Sequence, residues 1–173
     1  SMYLSDRYGF NNPDYEWNKK NIEYLLVGDS FTFGECLNRP HDIASILRIK
    51  SKKGVLNLGY GSNGPLIYYA TLREYLGSNV KKVLILYHEG SDLINLAEEL
   101  ENKILKNYLN DVNYSQNLKL IQDKINKMAL NIINEQQKKV ENKKIYSSDK
   151  LYIMKFIKFY NLRQTIINPR YNI

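Results

Sequence analysis

Tyr24-Leu25-Leu26-Val27-Gly28-Asp29-Ser30-Phe31-Thr32-Phe33-Gly34 is the stretch on which the fold of this chain turns. Tyr24 to Val27 is a short apolar run of strand-forming residues. Such a continuous run suits a strand covered on both faces of a parallel sheet. Gly28-Asp29-Ser30 breaks the run, and a helical pattern follows. A serine at that junction is held by a rigid strand while the turn exposes its hydroxyl, a common way to present a nucleophile. An Asp-Ser pair after a strand is equally an ordinary helix N-cap. The local pattern leaves both readings open.

Outward from this stretch the pattern alternates. Asp42 to Ile49 predicts a helix with Ile43, Ile46 and Leu47 inward, and Val55 to Leu58 a second strand ahead of a glycine-rich turn. Pro65 to Leu76 predicts a second helix, with Leu66, Tyr69, Leu72, Arg73 and Leu76 at helical spacing and Gly77 as a stop. Lys82 to Tyr87 predicts the third strand. Strand–helix–strand–helix–strand at this spacing implies a three-layer α/β domain with a short parallel sheet in the order 2-1-3, flavodoxin-like in plan. Ligands of such sheets sit at the carboxyl ends of the strands. Residues 3 to 21 read as an irregular segment whose Tyr8, Phe10 and Trp17 cover one edge of the core.

The expected division is an α/β core over 1–94 and a helical extension over 95–173 that packs on the core or on a partner. Leu93 to Leu109 predicts one helix, and Asn110 to Gln116 a loop. Leu118, Ile121, Ile125, Met128 and Ile132 mark an amphipathic helix that runs on into the charged stretch Gln136 to Lys144. Ser147-Ser148-Asp149 offers a cap for a further helix from Lys150 to Ile167, apolar around most of its circumference. That helix reads as packed against protein on two sides, or as a membrane-surface helix with Lys155, Lys158 and Arg163 at its basic edge.

Composition narrows the function classes. No apolar run approaches the roughly 18 residues of a membrane span. Cys36 is the single cysteine, which excludes an internal disulfide framework, and two histidines, His41 and His88, argue against a histidine metal cluster. No metal and no cofactor are expected. The net charge of +7 is uneven. Residues 1–94 carry 11 Lys and Arg against 10 Asp and Glu, whereas 95–173 carry 14 against 8. The basic residues are dispersed and accompany no nucleic-acid-binding signature, so a solvated helical face is the reading and nucleic acid is not an expected partner. The abundance of Lys, Asn, Ile and Tyr points to an AT-rich coding genome. Ser1-Met2 reads as a cloning remnant with no signal peptide after it.

Three stretches in order carry a family resemblance over about residues 7 to 94. Gly28-Asp29-Ser30-Phe31-Thr32-Phe33-Gly34 resembles the first block of the SGNH/GDSL hydrolases, which holds the nucleophilic serine. Val55-Leu56-Asn57-Leu58-Gly59-Tyr60-Gly61-Ser62 resembles the second block, V-x-N-x-G-x-x-G. Val83 to Asp92, ending in Glu89-Gly90-Ser91-Asp92, resembles the third, G-x-N-D at the end of a strand. The resemblance implies a serine ester hydrolase acting on a small-molecule or carbohydrate ester, such as an O-acetyl esterase or acetyltransferase. Ser30 would be the nucleophile, with Ser30, Ser62 and Ser91 around the oxyanion. Asp29, Gly61, Gly90 and Asp92 would support the turns. A periplasmic or other extracytoplasmic place in a bacterium is compatible with the family.

The sequence departs from the family pattern at three points. Ser62 stands at a glycine position, Ser91 at the asparagine position, and the D-x-x-H that carries the catalytic histidine is absent. His88, at the end of the third strand, falls on a position that is usually aromatic in the family; a supporting role beside the site is the preferred reading, and a catalytic role the lesser alternative. The expectation is therefore an N-terminal part of a longer SGNH-like protein, or a shortened relative completed by a homo-oligomer. Two rivals remain: a non-catalytic binding or scaffold module of this fold, and an assembly protein whose basic half binds an acidic surface.

Overall fold

The structure is a computed structural model and describes residues 4–144. Three parallel strands form one sheet in the order β2-β1-β3. They are β1 (Ile22–Gly28), β2 (Val55–Asn57) and β3 (Val80–Leu86). The 2-1-3 order read from the alternation is the one observed. In β1, Leu25, Leu26 and Val27 are all 0% exposed, as a central strand covered on both faces requires. Leu25 lies opposite Leu56 on one side and Val83 on the other.

The helices are α1 (Ser30–Phe33), α2 (Ile43–Ser51), α3 (Pro65–Tyr75), α4 (Asp92–Glu99), α5 (Lys103–Asn110) and α6 (Gln122–Lys144). Local chemistry sets their starts. Asp42 caps α2, its carboxylate accepting from Ser45 N–H and Ser45 Oγ. Pro65 stands in the first turn of α3, where a missing N–H costs nothing. The single helix predicted over Leu93 to Leu109 is two helices. The first closes at Leu100, and Asn102 caps the second, its Oδ1 accepting from Ile104 and Leu105 N–H. A short amide that bonds nearby backbone favours a cap over a helix interior, and here that local preference wins.

The burial pattern also departs from the periodicity. In α3 the buried face holds Leu66, Ile67, Tyr68, Ala70, Thr71, Glu74 and Tyr75, while Tyr69 and Leu76 are exposed. In α2, Ile43 and Ile46 are exposed and Ala44 is buried. They line an open apolar groove of about 770 Å³ with Leu47, Val83 and Ile85, and His41 also lies there. Strand β3 is the least covered of the three, with Ile85 60% exposed.

The two sheet edges differ. The free edge of β2 is closed by side chains from the irregular N-terminal segment. Asn57 N–H donates to Asn12 Oδ1 at 2.8 Å, and Asn12 Nδ2 donates to Asn57 C=O at 2.9 Å. Val55 N–H donates to Glu16 Oε2 at 3.1 Å. Arg48 Nε donates to Val55 C=O at 2.9 Å, so an amide, a carboxylate and a guanidinium take the bonds that a fourth strand would supply. Behind them Tyr8, Phe10 and Trp17 pack edge-on and tilted against Tyr75, the cover that the sequence predicts.

Two compact units are present, 1–116 and 117–173. Helices α4 and α5 belong to the first. Arg73 of α3 donates to the carbonyls of Tyr108, Val112 and Tyr114, and Glu74 accepts from Tyr108 Oη, Ser115 Oγ and Gln116 N–H. In the second unit α6 carries the periodic Ile125, Met128 and Ile132 of the sequence pattern. The helix predicted over Lys150 to Ile167 lies outside the described residues. Among the described residues no helix is long and apolar enough to cross a membrane.

Candidate functional site

The turns that follow β1, β2 and β3 lie at the carboxyl ends of three adjacent parallel strands, where the crossovers of an α/β sheet leave room for a ligand. The first two are tied together by backbone and amide bonds. Tyr60 N–H donates to Gly28 C=O at 3.1 Å, and Leu58 N–H to Leu26 C=O at 2.7 Å. Asn57, fully buried, donates its Nδ2 to Thr32 C=O at 2.7 Å and accepts Gly59 N–H at 2.9 Å. Asn11 Nδ2 takes the neighbouring Phe33 C=O at 2.9 Å. The last two carbonyls of the four-residue α1 are thereby satisfied. Gly59 has to be glycine, because a Cβ there would stand 2.6 Å from Thr32 Cβ and 2.7 Å from Phe33 N.

Within that frame Asp29 caps α1, its Oδ1 accepting from Phe31 N–H at 2.9 Å. Ser30 is half-buried at the first position of α1. Neither its N–H nor its Oγ forms a hydrogen bond among the described residues, while the polar groups on either side of it are engaged. Ser62 is exposed on the second turn with φ of 60°. That left-handed conformation favours glycine, so a serine here holds a conformation costing about 1 kcal/mol.

The third turn is built on Asp92, which is 0% exposed. Its Oδ2 accepts His88 N–H at 3.0 Å and its Oδ1 accepts Tyr68 Oη at 3.1 Å. Burial, then the nearby Asp92 charge, holds the Tyr68 phenol well above its ordinary range, so it remains a donor. Ser91 precedes α4 but does not cap it with its side chain. Its Oγ lies 2.8 Å from His88 Nδ1 instead. That nitrogen is also 3.8 Å from Asp29 Oδ2, and the His88 ring tilts against the Phe31 ring at 5.0 Å between centroids. Gly90 leaves room for the ring, since a Cβ there would stand 3.2 Å from His88 Cε1.

Asp29, His88, Ser91 and Asp92 are therefore one cluster, with Ser30 between two residues that touch it. Gly61 and Ser62 stand on the neighbouring turn. His41 lines the groove between α2 and β3 and takes no part in this cluster. Asp29, His88 and Asp92 place one ligand atom each within 4.8 Å of one another. Three of the four carboxylate oxygens are already engaged by Phe31 N–H, Tyr68 Oη and His88 N–H. The set is accordingly a hydrogen-bonded support of the turns rather than a prepared metal centre.

Glu99 was not legible as part of this region. From the far end of α4 it accepts the N–H groups of Gly64, Leu66 and Ile67, which open α3. A carboxylate at a helix N-terminus is favoured by the unpaired donors there. Burial nevertheless outweighs those donors and pushes the carboxyl up to about 7, from an ordinary 4.5. Between these two values the folded chain keeps a proton that the unfolded chain has lost, so stability falls as pH rises through this window. Above about 7 this contribution is flat. Glu99→Gln is expected to remove that slope and to lower stability by about 1–3 kcal/mol, because its NH2 faces backbone donors. Urea unfolding at pH 5 and pH 8 measures both effects.

Comparison with family models, with curated proteins and with solved structures gives no match for this chain.

Proposed function

We propose that this chain acts as a serine ester hydrolase of SGNH/GDSL type, with Ser30 as the nucleophile and a small-molecule or carbohydrate ester as substrate. The observation that carries the reading is the state of Ser30. At the end of the central strand, in a turn whose neighbouring polar groups are engaged, it keeps both a hydroxyl and an N–H unpaired among the described residues. The hydroxyl serves as attacking group and the N–H as one donor to the oxyanion. The order of the three motif turns, all at one end of the sheet, supports the same reading.

The other oxyanion donors are weaker than the family pattern implies. Ser62 stands where the family pattern has its glycine donor. Ser91 Oγ stands where the pattern has an amide, and a hydroxyl is a shorter and less fixed donor. Removing such a donor costs about 10²–10³ in rate, so slow turnover is expected. The binding-module reading draws on the same Ser91 substitution. Hydrolysis of a p-nitrophenyl ester separates the two. The full chain is expected to show slow turnover that Ser30→Ala reduces to the uncatalysed rate, and equal rates in both proteins would overturn the enzyme reading. Because Ser30 Oγ makes no bond among the described residues, Ser30→Ala is expected to leave stability within about 0.5 kcal/mol.

A further inference from the structure

A serine nucleophile needs a base, and the sequence pattern that would supply one is absent from this chain. We infer that His88 is that base, accepting the Ser30 proton at Nε2 while Asp29 and Ser91 hold the ring at Nδ1. The inference rests on the esterase reading above and assigns it a residue.

Both neighbours of Ser30 in the chain touch His88, Asp29 through its carboxylate and Phe31 through its ring. Ser30 is the residue between them in the chain. The backbone of His88 is fixed by Asp92, and its Nδ1 sits 2.8 Å from Ser91 Oγ and 3.8 Å from Asp29 Oδ2. A carboxylate and a hydroxyl oxygen on that side favour the tautomer with its proton on Nδ1. The lone pair then lies on Nε2, which has no hydrogen bond among the described residues, on a side chain 44% exposed. The charged groups facing the ring are Asp29 from the β1–α1 turn and Asp92 from α4.

In the step, Ser30 Oγ bonds to the acyl carbon as its proton passes to His88 Nε2, and the carbonyl π pair moves onto oxygen. Collapse of that oxyanion breaks the ester C–O bond, and the imidazolium returns the proton to the departing alkoxide. Water then repeats the sequence on the acyl-serine, with His88 again taking and returning one proton. The arrangement also gives Ser91 a fixed orientation. Accepting from Nδ1–H leaves its own O–H free to point into the site as a donor.

The test follows the rate at which a fluorophosphonate probe modifies Ser30, read by peptide mass spectrometry from pH 5 to 9. Wild type is expected to label with a rate that rises through one ionisation. His88→Gln is expected to label at least about 10²-fold more slowly and without that ionisation, the usual contribution of a general base. His88→Ala is expected to regain rate when imidazole is added. Wild-type labelling and an unchanged pH profile in His88→Gln would overturn the role of His88 and leave the esterase reading standing. Failure of wild type to label at Ser30 would overturn that reading itself. Circular dichroism of each variant establishes that the folded chain is being compared, since the backbone bond from residue 88 to Asp92 survives either substitution.

Discussion

Asp6→Ala is expected to lower the stability of the folded unit by about 3–5 kcal/mol, among the largest losses that one substitution gives in a domain of this size. Asp6 is 5% exposed and accepts four hydrogen bonds. Oδ1 takes Tyr8 N–H at 3.0 Å and Phe10 N–H at 2.9 Å. Oδ2 takes Asn12 Nδ2 at 2.8 Å and Trp17 Nε1 at 2.7 Å. Truncation leaves these donors without an acceptor, and each buried unpaired donor costs about 1–3 kcal/mol. The loss travels further, because Asn12 is the amide that closes the β2 edge and accepts from Arg48. Asp6→Asn is expected to cost less, since it keeps an acceptor for the two backbone N–H groups while its NH2 meets the donors of Asn12 and Trp17. Urea midpoints for the two variants check the order. A loss below about 1 kcal/mol for Asp6→Ala would show that the N-terminal segment is not part of the cooperative unit.

Asn57→Ala is expected to cost about 2–4 kcal/mol and to slow modification of Ser30 as well. The side chain is fully buried and bridges Thr32 C=O and Gly59 N–H, so its loss leaves a buried acceptor and a buried donor unpaired. It is also the link that fixes α1 to the second turn. Displacing a nucleophile by about 1 Å costs on the order of 10²-fold in rate. The two effects separate by measuring probe labelling in the absence of denaturant, where the variant remains folded. Loss of stability with unchanged labelling of Ser30 would mean that Asn57 holds the sheet but not the nucleophile.

The parts of this account that sequence could reach are local. Val27 to Ser30, Val55 to Gly59 and Val83 to Asp92 each combine a short apolar run with a turn signal, and both cues act within a few residues. Three strands and their order follow from that. The side-chain closure of β2 does not, because Asn12 and Asn57 are 45 residues apart and an asparagine gives no sign of which backbone it will meet. The buried face of α3 was misjudged for a related reason. Glu74 is inside because α5 and the segment after it bring partners to it, so periodicity of apolar residues alone points elsewhere. The break at Asn102 was within reach, since an Asn ahead of a run of helix formers is a cap signal.

The site shows the same division. The convergence of the three turns was legible from their positions at strand ends, and Asp29 and Asp92 accept backbone N–H bonds as turn carboxylates do. The pairing of His88 with Ser91 is only three residues long, yet it depends on the ring folding back over Gly90, which strand and turn patterns do not encode. The positive φ at Ser62 is signalled only by its place at a glycine position of the family pattern, since serine itself argues against it.

The claim that Ser30 is a presented nucleophile is tested most directly by treating the full chain with a fluorophosphonate probe and locating the adduct by peptide mass spectrometry. The expected result is a single adduct on Ser30, lost in Ser30→Ala while the fold is retained. A folded wild-type chain that carries no adduct at Ser30 after exhaustive treatment at pH 8 would contradict it, and the three turns would then frame a binding surface rather than an active site.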